Sequence, residues 1–517
     1  MLSIGSGIFS FLTRQTVVVA SRHIEYDLRN RLFSQLQSLS HDFYLQHATG
    51  DIITRSTSDI EQVRRYIGPA IMYTTRAVVT IVVAVSVMFV ISPTLTWYTL
   101  IPMPFLAVSV FLVAGMVHSR SDALQFQYSQ LTSRVQEALS GIRVLKAYVR
   151  EEAEAEAFDQ ESAIYRKKSL DLALVEAAWR PVFLTLVGMS TLIVVWIGGS
   201  LAISGEITIG NVAEYIIYVA MMTWPVASMG FVITMVQRAS ASMIRLNDIF
   251  DAKPSILSLP EASSFDIEGE ISFKDVSFTH VSSNVKTLDS VSFKVEAGST
   301  LAIVGRTGSG KSTLVELIPR LLDADSGSVQ IDGIDVKNLS VEKLRAGIGY
   351  VPQDVFLFSD TLSENISFGY LGAEQDQIEQ AAEEADILAN IDSFQDGFQT
   401  LVGERGITLS GGQKQRTSIA RALIRKPSIL ILDDALSAVD VKTERTILSH
   451  LKKHFGKRTV VIVSHRISAV QDADHIIVLE DGRITERGDH AALIFENGFY
   501  ASLFAKQQLE QELEDLA

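Results

Sequence analysis

Long stretches without a charged residue dominate the first half of the chain. Residues 77–119 contain no Lys, Arg, Asp or Glu, and residues 181–237 contain only Glu206 and Glu214. Because one bilayer crossing needs about 20 apolar residues, each stretch has room for two helices. The alternative is buried helices of a water-soluble protein, which rarely run so long without a charge. The pattern therefore predicts four complete membrane helices.

Turn-forming residues lie near the middle of each stretch, around Pro93 and Gly205. Neither turn contains a basic residue, whereas the long segments 21–76 and 120–180 contain many Lys and Arg residues. Since cytoplasmic segments carry the excess of Lys and Arg, we expect these long segments inside the cell.

The first thirteen residues are apolar and are followed by Arg14. At about 1.5 Å per residue they cover only roughly two-thirds of a hydrocarbon core. No basic flank precedes them, so they do not match a secretory signal. We expect the end of a membrane helix whose beginning is absent, through either a misassigned start codon or a truncated and inactive copy.

An apolar run at residues 301–305 predicts a buried strand, and it leads directly into a glycine-rich segment. That segment reads Gly305-Arg306-Thr307-Gly308-Ser309-Gly310-Lys311-Ser312-Thr313. This spacing is typical of a phosphate-binding loop, in which glycines let backbone N–H groups face phosphates. Lys311 is then expected at the β and γ phosphates, and Ser312 at Mg²⁺.

A second apolar run, residues 429–432, ends at Asp433 and Asp434. An NTPase places its Mg²⁺-holding carboxylate at such a strand end, beside the phosphate loop. An apolar run that ends in Asp is common and means little alone. Together with the phosphate loop it predicts an ATP site with Asp433 as a Mg²⁺ ligand.

Charge and composition separate the two halves further. The chain has 517 residues, no cysteine and a net charge of −15. The first 250 residues carry equal numbers of basic and acidic side chains, so the whole excess lies in the second half. The lack of cysteine excludes disulfide, cysteine–zinc and iron–sulfur chemistry. The acidic balance argues against a nucleic-acid partner. A membrane part followed by a soluble part is predicted.

One segment is absent from generic phosphate-loop enzymes, namely Leu409-Ser410-Gly411-Gly412-Gln413. Here the sequence resembles the ATP-binding cassette (ABC) family, over nearly the whole chain. Gln353 resembles the Q-loop glutamine of that family, Asp440 its D-loop aspartate and His465 its switch histidine. The segment 403–406 is similar to the X-loop of exporters, and segments 47–60 and 141–147 resemble the regions around their coupling helices.

The resemblance implies an all-α polytopic membrane domain of the exporter type, followed by an α/β P-loop NTPase cassette with a helical subdomain. The expected boundaries are 1–250 for the membrane domain, 251–268 for a linker and 269–505 for the cassette, with the helical subdomain at about 354–420. Residues 506–517 are expected to form an acidic tail. The chain would lie in the plasma or inner membrane with its cassette in the cytoplasm.

The resemblance also implies how the site works. Two cassettes close head to tail, with ATP between the phosphate loop of one chain and the signature segment 409–413 of a second half-transporter chain. Asp434, His465 and Gln353 would be the catalytic residues. Mg²⁺ would be held by Ser312, Gln353 and Asp433. The signature would contact the partner's ATP.

Two positions depart from the family pattern. Hydrolytic members carry Glu where this chain has Asp434, and the missing methylene withdraws the carboxylate by about 1.5 Å. A displacement of about 1 Å can lower a rate on the order of a hundredfold. His280 stands where an aromatic residue usually stacks on adenine; imidazole is smaller, and a harmless substitution is the alternative.

Both departures fall on the ATP site of this chain's own phosphate loop, whereas its signature is intact. The hypothesis is therefore a heterodimeric multidrug-type exporter in which this chain's own site is slow. A homodimer, a regulatory nucleotide-sensing subunit and an inactive truncated copy are the alternatives. The expected surroundings are a lipid bilayer and a lipophilic small-molecule or lipid substrate, whose identity the residues do not specify.

Overall fold

The computed structural model describes residues 2–258, 266–280, 285–403, 406, 408–452 and 458–515. The chain forms two compact units. The first contains Met1–Gln37 and Gly50–Ala252, and the second contains Ser38–Thr49 and Lys253–Ala517. The units divide after residue 252, and a short segment of the first half belongs to the second unit. The boundaries expected for the membrane domain, the linker and the cassette stay predictions.

The first unit is helical. Its helices are α1 (Leu2–Ser38), α3 (Thr49–Thr54), α4 (Ile60–Arg65), α5 (Ile71–Ile91), α6 (Pro93–Leu100), α7 (Pro102–Ser140), α8 (Ile142–Ala147), α9 (Glu151–Ile203) and α10 (Ile209–Phe250). π-helical turns at Arg55–Asp59 and Tyr66–Ala70 connect α3, α4 and α5 into one continuous helical segment. The short helix α2 (His41–Gln46) belongs to the second unit.

Four helical segments among the described residues are long and apolar enough to cross a membrane. They are Thr49–Ile91, Pro93–Ser140, Glu151–Ile203 and Ile209–Phe250. This confirms the four complete membrane helices that the charge-free stretches predict. Each has at least 42 residues, about twice what a hydrocarbon core requires, so each extends well beyond the bilayer. α1 is not among the four.

Both predicted turns lie between membrane helices. α5 ends at Ile91, and the Ser92 hydroxyl accepts a hydrogen bond from Leu95 N at the start of α6. The buried Tyr215 of α10 stabilises this turn. Its hydroxyl lies within hydrogen-bond distance of two carbonyl oxygens, 2.6 Å from that of Met88 and 2.9 Å from that of Ser92. At the second turn, Thr208 and Asn211 form a capping box that begins α10.

The second unit contains two sheets. Its strands are β1 (Ile271–His280), β2 (Val285–Val295), β3 (Thr300–Gly305), β4 (Ser326–Ile331), β5 (Ile334–Asp335), β6 (Ile348–Val351), β7 (Ile429–Asp433), β8 (Thr459–Val463), β9 (His475–Glu480) and β10 (Arg483–Gly488). One sheet is antiparallel, in the order β2-β1-β4-β5. The other has the order β10-β9-β3-β8-β7-β6, and all its pairs are parallel except β10 with β9.

Helices surround these sheets. They are α11 (Lys311–Leu317), α12 (Val341–Ala346), α13 (Leu362–Ser367), α14 (Gln375–Glu384), α15 (Leu388–Ser393), α16 (Gly411–Leu423), α17 (Val441–Lys452), α18 (Ile467–Val470), α19 (His490–Glu496) and α20 (Phe499–Asp515). The helices α13 to α16 lie between Leu362 and Leu423, and a helical subdomain at about 354–420 stays a prediction. The segment expected to form an acidic tail begins within α20, whose Phe499, Leu503 and Phe504 pack on the core.

Candidate nucleotide-binding site

The parallel sheet collects the predicted site residues at one edge. Gly305 ends β3, Asp433 ends β7, Gln353 follows β6 by two residues and His465 follows β8 by two residues. Ligands of open α/β sheets bind outside the carboxyl ends of the parallel strands. Because β3, β8, β7 and β6 are adjacent in that order, their carboxyl ends form one continuous site.

A cavity of about 380 Å³ lies at this edge. Eleven predicted residues line it: His280, Thr307, Gly308, Gly310, Lys311, Ser312, Thr313, Gln353, Asp433, Asp434 and His465. Three further lining residues, Val285, Thr287 and Val463, have no sequence signal of their own. The structure thus brings the phosphate loop and the candidate catalytic residues together.

The loop requires glycine at two positions. Gly310 has φ +99°, and a Cβ there would lie 2.7 Å from the Thr287 carbonyl oxygen. At Gly305 a Cβ would lie 2.2 Å from the carbonyl oxygen of Leu479. Both distances are far below contact distance, so only glycine lets the backbone pass here and present its N–H groups to a ligand.

Lys311 lies across the loop. Its ammonium group donates hydrogen bonds to the carbonyl oxygens of Gly305 at 3.0 Å and Arg306 at 2.7 Å. Burial lowers the pKa of Lys311, and the nearby carboxylates of Asp434 and Asp433 oppose that shift. A buried ammonium group beside backbone donors favours a multiply charged anion such as the phosphates of ATP.

Two buried polar atoms test whether Mg²⁺ and nucleotide fit this site. Asp433 Oδ1 and Ser309 Oγ are buried and have no hydrogen-bond partner among the described residues. Burial raises the pKa of Asp433, and a hydrogen bond from Ser312 opposes the shift. The described residues contain no group of three or more His, Cys, Asp or Glu that could hold a metal. Mg²⁺ held by one carboxylate, a hydroxyl and nucleotide phosphates fits these groups.

Asp434 has a left-handed backbone, with φ +47°. Its N–H donates to the Val463 carbonyl oxygen at 2.9 Å, and its own carbonyl oxygen accepts from Ser437 Oγ at 2.9 Å. Aspartate tolerates this conformation better than most residues. The backbone of Asp434 is therefore held at both its N–H and its carbonyl oxygen, which sets the point from which the short carboxylate extends.

His465 is half-buried on the same cavity wall. Burial lowers the pKa of His465 and the charge of Lys311 lowers it further, while Asp434 opposes both. Burial and the charge of Lys311 thus both favour the neutral imidazole, which can accept a hydrogen bond. His280 lies at the end of β1, with Nε2 3.2 Å from Thr313 Oγ1.

The signature segment is elsewhere in this chain. Ser410 begins α16 in a capping box, accepting a hydrogen bond from Gln413 N, and none of residues 409–413 lines the cavity. Asp440 is also absent from the lining; its carboxylate accepts a hydrogen bond from Thr443 N at the start of α17. Glu404 and Arg405 of the expected X-loop lie outside the described residues.

Gln415 is a connection that sequence reasoning missed. This buried side chain of α16 donates to Ser437 Oγ at 3.0 Å and accepts from Ala438 N at 2.9 Å. It also lies 3.4 Å from the Asp434 carbonyl oxygen. The signature helix is thereby joined to the segment that follows β7. In the sequence, the position of Gln415 about one turn after the signature segment is the signal that could have pointed to it.

Gln507 of α20 is a second missed residue. Its side chain donates to the His465 carbonyl oxygen at 2.6 Å and accepts from Ile467 N at 2.8 Å. The buried Glu444 of α17 accepts hydrogen bonds from Arg466 at 2.9 Å and from Ser468 at 2.6 Å. The loop that carries His465 is thus held from two helices.

These features define a P-loop nucleotide-binding cassette fused to a polytopic membrane domain. The family model of the ABC transporter transmembrane region matches residues 1–226, and that of the ABC transporter matches residues 288–437. The chain belongs to the ABC transporter family. It is an ATP-binding and permease subunit of an ABC exporter, in the plasma membrane with its cassette in the cytoplasm.

Relatives match nearly the whole chain. It is 37% identical over 505 residues to the probable multidrug resistance ABC transporter ATP-binding/permease protein YheI of Bacillus subtilis, covering 97% of this chain and 86% of that protein. It is 34% identical over 516 residues to the multidrug resistance-like ATP-binding protein MdlA of Escherichia coli, covering 98% and 86%. A solved structure of a bacterial Atm1-family ABC exporter with ATP bound has a TM-score of 0.80 and 27% identity, covering 98% of this chain and 88% of that one.

Proposed function

We propose that this chain is the slow-site subunit of a heterodimeric exporter of lipophilic small molecules or lipids. In this proposal its own phosphate loop and Asp433 bind ATP against a partner's signature, and its own signature 409–413 serves the partner's hydrolytic site. Asp434 is the observation that carries the proposal. Its carboxylate is short, and its backbone is anchored to Val463 and Ser437, so the backbone has little freedom to move the carboxylate forward.

Each cavity residue then has a role. Lys311 and the loop amides bind phosphates, because they are the positive and N–H groups at the loop. Ser312, Asp433 and the exposed Gln353 hold Mg²⁺, which supplies charge neutralisation at the phosphates when bound. His465 accepts or donates a hydrogen bond near the γ-phosphate position. Asp434 orients water inefficiently because its reach is short.

The intact capping box of Ser410 and Gln413 supports the second half of the proposal. Ser410 and the first amides of α16 would offer a hydroxyl, N–H groups and the positive end of a helix dipole to the partner's ATP. α16 has 13 residues, enough for these amides to act together. Hydrolysis in the pair would then occur mainly at the ATP site formed by the partner's phosphate loop and this chain's signature.

The test is ATP hydrolysis by the purified chain in lipid nanodiscs, alone and with a co-expressed half-transporter. We expect Asp434→Glu to raise the rate at this chain's own site about tenfold to a hundredfold, because the added methylene restores the reach. Asp434→Asn should stay near the slow starting rate. Asp481→Glu is the matched control, since Asp481 has the same left-handed backbone, φ +46°, and does not line the cavity.

Two outcomes would contradict the proposal. One is hydrolysis at a full exporter rate by the unmodified chain alone, because that would make Asp434 a competent catalytic group. The other is Asp434→Glu without any gain in the presence of a partner whose own catalytic glutamate is replaced by glutamine.

A further inference from the structure

The segment 253–258 lies in the expected linker and belongs to the second unit, together with the short helix α2. Its side chains alternate, since residues 253, 255 and 257 are exposed and residues 254, 256 and 258 are half-buried. This alternation is typical of an extended chain, which advances at most about 3.6 Å per residue. The span 256–258 therefore covers roughly 10 Å. Each of its three residues forms a hydrogen bond to another part of the second unit.

The first of these hydrogen bonds connects the segment to α2. Ile256 N donates to Ser40 Oγ at 3.0 Å. Ser40 is the N-cap residue of α2, but its hydroxyl forms no hydrogen bond to that helix. A serine at this position usually accepts a hydrogen bond from an N–H group of its own helix. Here the linker occupies that hydroxyl, and α2, with six residues, is too short to be stable without contacts from outside.

The last residue of the span is bonded to the start of α12. Ser258 Oγ accepts a hydrogen bond from Val341 N at 3.0 Å and donates one to Glu342 Oε2 at 2.9 Å. One hydroxyl group thus uses both its donor and its acceptor capacity on the same helix. The end of the span is therefore fixed to the cassette.

Between these two ends, the backbone of Leu257 is bonded to a buried arginine. Arg320 Nη1 donates to the Leu257 carbonyl oxygen at 3.3 Å and lies 3.4 Å from that of Lys337. Asp323 pairs with Nε of the same guanidinium at 2.9 Å and with Nη2 at 3.3 Å. Such a two-pronged pair fixes the plane of the guanidinium, so Nη1 is directed at the linker. The Leu257 side chain is exposed, and the attachment is therefore made by the backbone.

Arg320 is part of the turn that directly follows the phosphate-loop helix α11. Its N–H donates to the Leu317 carbonyl oxygen at 3.1 Å, and the next residue, Leu321, donates to that of Glu316 at 3.0 Å. α11 begins at Lys311, which is itself part of the phosphate loop. A short, hydrogen-bonded stretch of chain therefore joins the loop to the arginine that holds the linker.

We propose that the span 256–258 is a strap that makes α2 follow the phosphate-loop helix α11, and that Ser258 and Arg320 are the residues that position it. The strap cannot lengthen, because the groups bonded to Ser40 and to Arg320 belong to adjacent residues of an extended chain. Networks of hydrogen bonds between rigid elements can carry coupling between distant sites. ATP that orders the phosphate loop and α11 therefore also orders α2.

The position of α2 in the chain gives the strap a consequence for transport. α2 ends at Gln46, and the first of the four membrane-crossing segments begins at Thr49. The family resemblance assigns coupling to the segments 47–60 and 141–147 and gives the linker no part in it. The strap adds a route from bound ATP to a membrane helix within one chain. It requires ATP binding only and is independent of the slow hydrolysis proposed for Asp434.

The test is amide hydrogen exchange of the full chain in phospholipid nanodiscs, measured by mass spectrometry on the peptide that contains α2. Exchange reports how often this helix opens locally. We expect ATP with Mg²⁺ to slow the exchange of α2 about fivefold, the factor that one ordinary hydrogen bond supplies. Ser258→Ala should abolish this response to ATP. Ser258→Thr keeps the hydroxyl and should retain the response.

Ser255→Ala is the matched control. Ser255 lies in the same segment, is exposed and has no side-chain hydrogen bond among the residues that the structure describes, so this variant should respond to ATP like the unmodified chain. Binding of the fluorescent analogue TNP-ATP should be equal in all variants, because neither Ser255 nor Ser258 lines the nucleotide cavity. Equal binding separates a lost connection to α2 from a damaged ATP site.

The other end of the strap provides an independent variant. Ser40→Ala removes the acceptor for the linker without removing a cap of α2, and with ATP it should speed the exchange of α2 about fivefold, as Ser258→Ala does. The double variant should also exchange about fivefold faster rather than about twenty-five-fold, because a strap transmits nothing once one end is free.

Three outcomes would overturn the strap. They are a full response to ATP in Ser258→Ala, multiplied effects in the double variant, and an unmodified chain that binds TNP-ATP without any slowing of exchange in α2. Each of them leaves the proposed export function standing, because that function is tested by ATP hydrolysis at Asp434 and in the partner.

Discussion

At the residue scale, adjacent carboxylates at the end of β7 have different surroundings. Asp433 is buried, its pKa is raised by burial, and Oδ1 has no hydrogen-bond partner among the described residues. Asp434 is half-exposed to the cavity and is held through its backbone. In the proposed function the buried Asp433 holds the cation and Asp434 orients water, so we expect these two adjacent residues to have different roles.

Burial also shifts the pKa of Glu316, which lies on α11 after the phosphate loop, and this predicts how the stability of the protein depends on pH. Burial, with the neighbouring Asp433 adding to it, raises the pKa of Glu316 to about 7 from 4.5. The folded protein therefore keeps this proton up to about pH 7, whereas the unfolded chain loses it near pH 4.5. Since the folded state binds more protons in this window, its free energy of unfolding falls as pH rises from about 4.5 to 7.

Glu316→Gln removes the loss of stability that accompanies ionisation of the buried Glu316 carboxyl group. We expect the variant to gain about 2 kcal/mol over the unmodified protein between pH 5 and pH 8. Thermal unfolding without nucleotide or Mg²⁺ measures it, as a difference in Tm that grows with pH. Glu496→Gln, an exposed carboxylate at the end of α19, should show no such growth, and a constant difference for Glu316→Gln would contradict the argument.

At the element scale, α20 takes part in the site although it lies far from the phosphate loop in sequence. Gln507 donates a hydrogen bond to the carbonyl oxygen of His465 and accepts one from Ile467 N, so it holds the loop that carries His465. Gln507 does not line the nucleotide cavity, so we treat it as a positioning residue. Its effect should therefore appear in the rate of the chemical step rather than in ATP affinity.

We expect Gln507→Ala to lower the kcat of ATP hydrolysis about tenfold and to leave the KM for ATP nearly unchanged. The measurement is best made in the Asp434→Glu background, where this chain's own site is expected to turn over. Gln508→Ala replaces the exposed neighbour on the same helix and should have no effect. Equal losses for both variants would mean that α20 only stabilises the fold.

The elements differ in how far the sequence predicts them. The four membrane helices, their turns and the phosphate loop follow from local patterns, namely missing charges and glycine spacing. Gln353 and His465 have no local signal, because a lone Gln or His after a strand is usually unremarkable; the family resemblance supplies them. Gln415 and Gln507 escape both kinds of reasoning, since a polar residue on an amphipathic helix resembles a solvated one until its tertiary contacts are known.

At the scale of the whole molecule, the charge pattern and the fold agree. The charge-balanced first half forms the helical membrane unit and the acidic second half forms the cassette. Basic residues concentrate in the long segments between membrane helices, which places those segments and the cassette on the cytoplasmic side. The turns around residues 92 and 204 are then outside the cell.

The chain has no cysteine, so this topology can be tested with single introduced thiols and no background. Ser204→Cys places a thiol in the exposed turn before α10, and Ser449→Cys places one on the exposed face of α17. A membrane-impermeant maleimide should label the first in intact cells and the second only after permeabilisation. The unmodified chain should not be labelled in either condition. Labelling of residue 449 in intact cells would reverse the orientation, and with it the direction in which ATP could drive transport, because ATP is supplied from the cytoplasm.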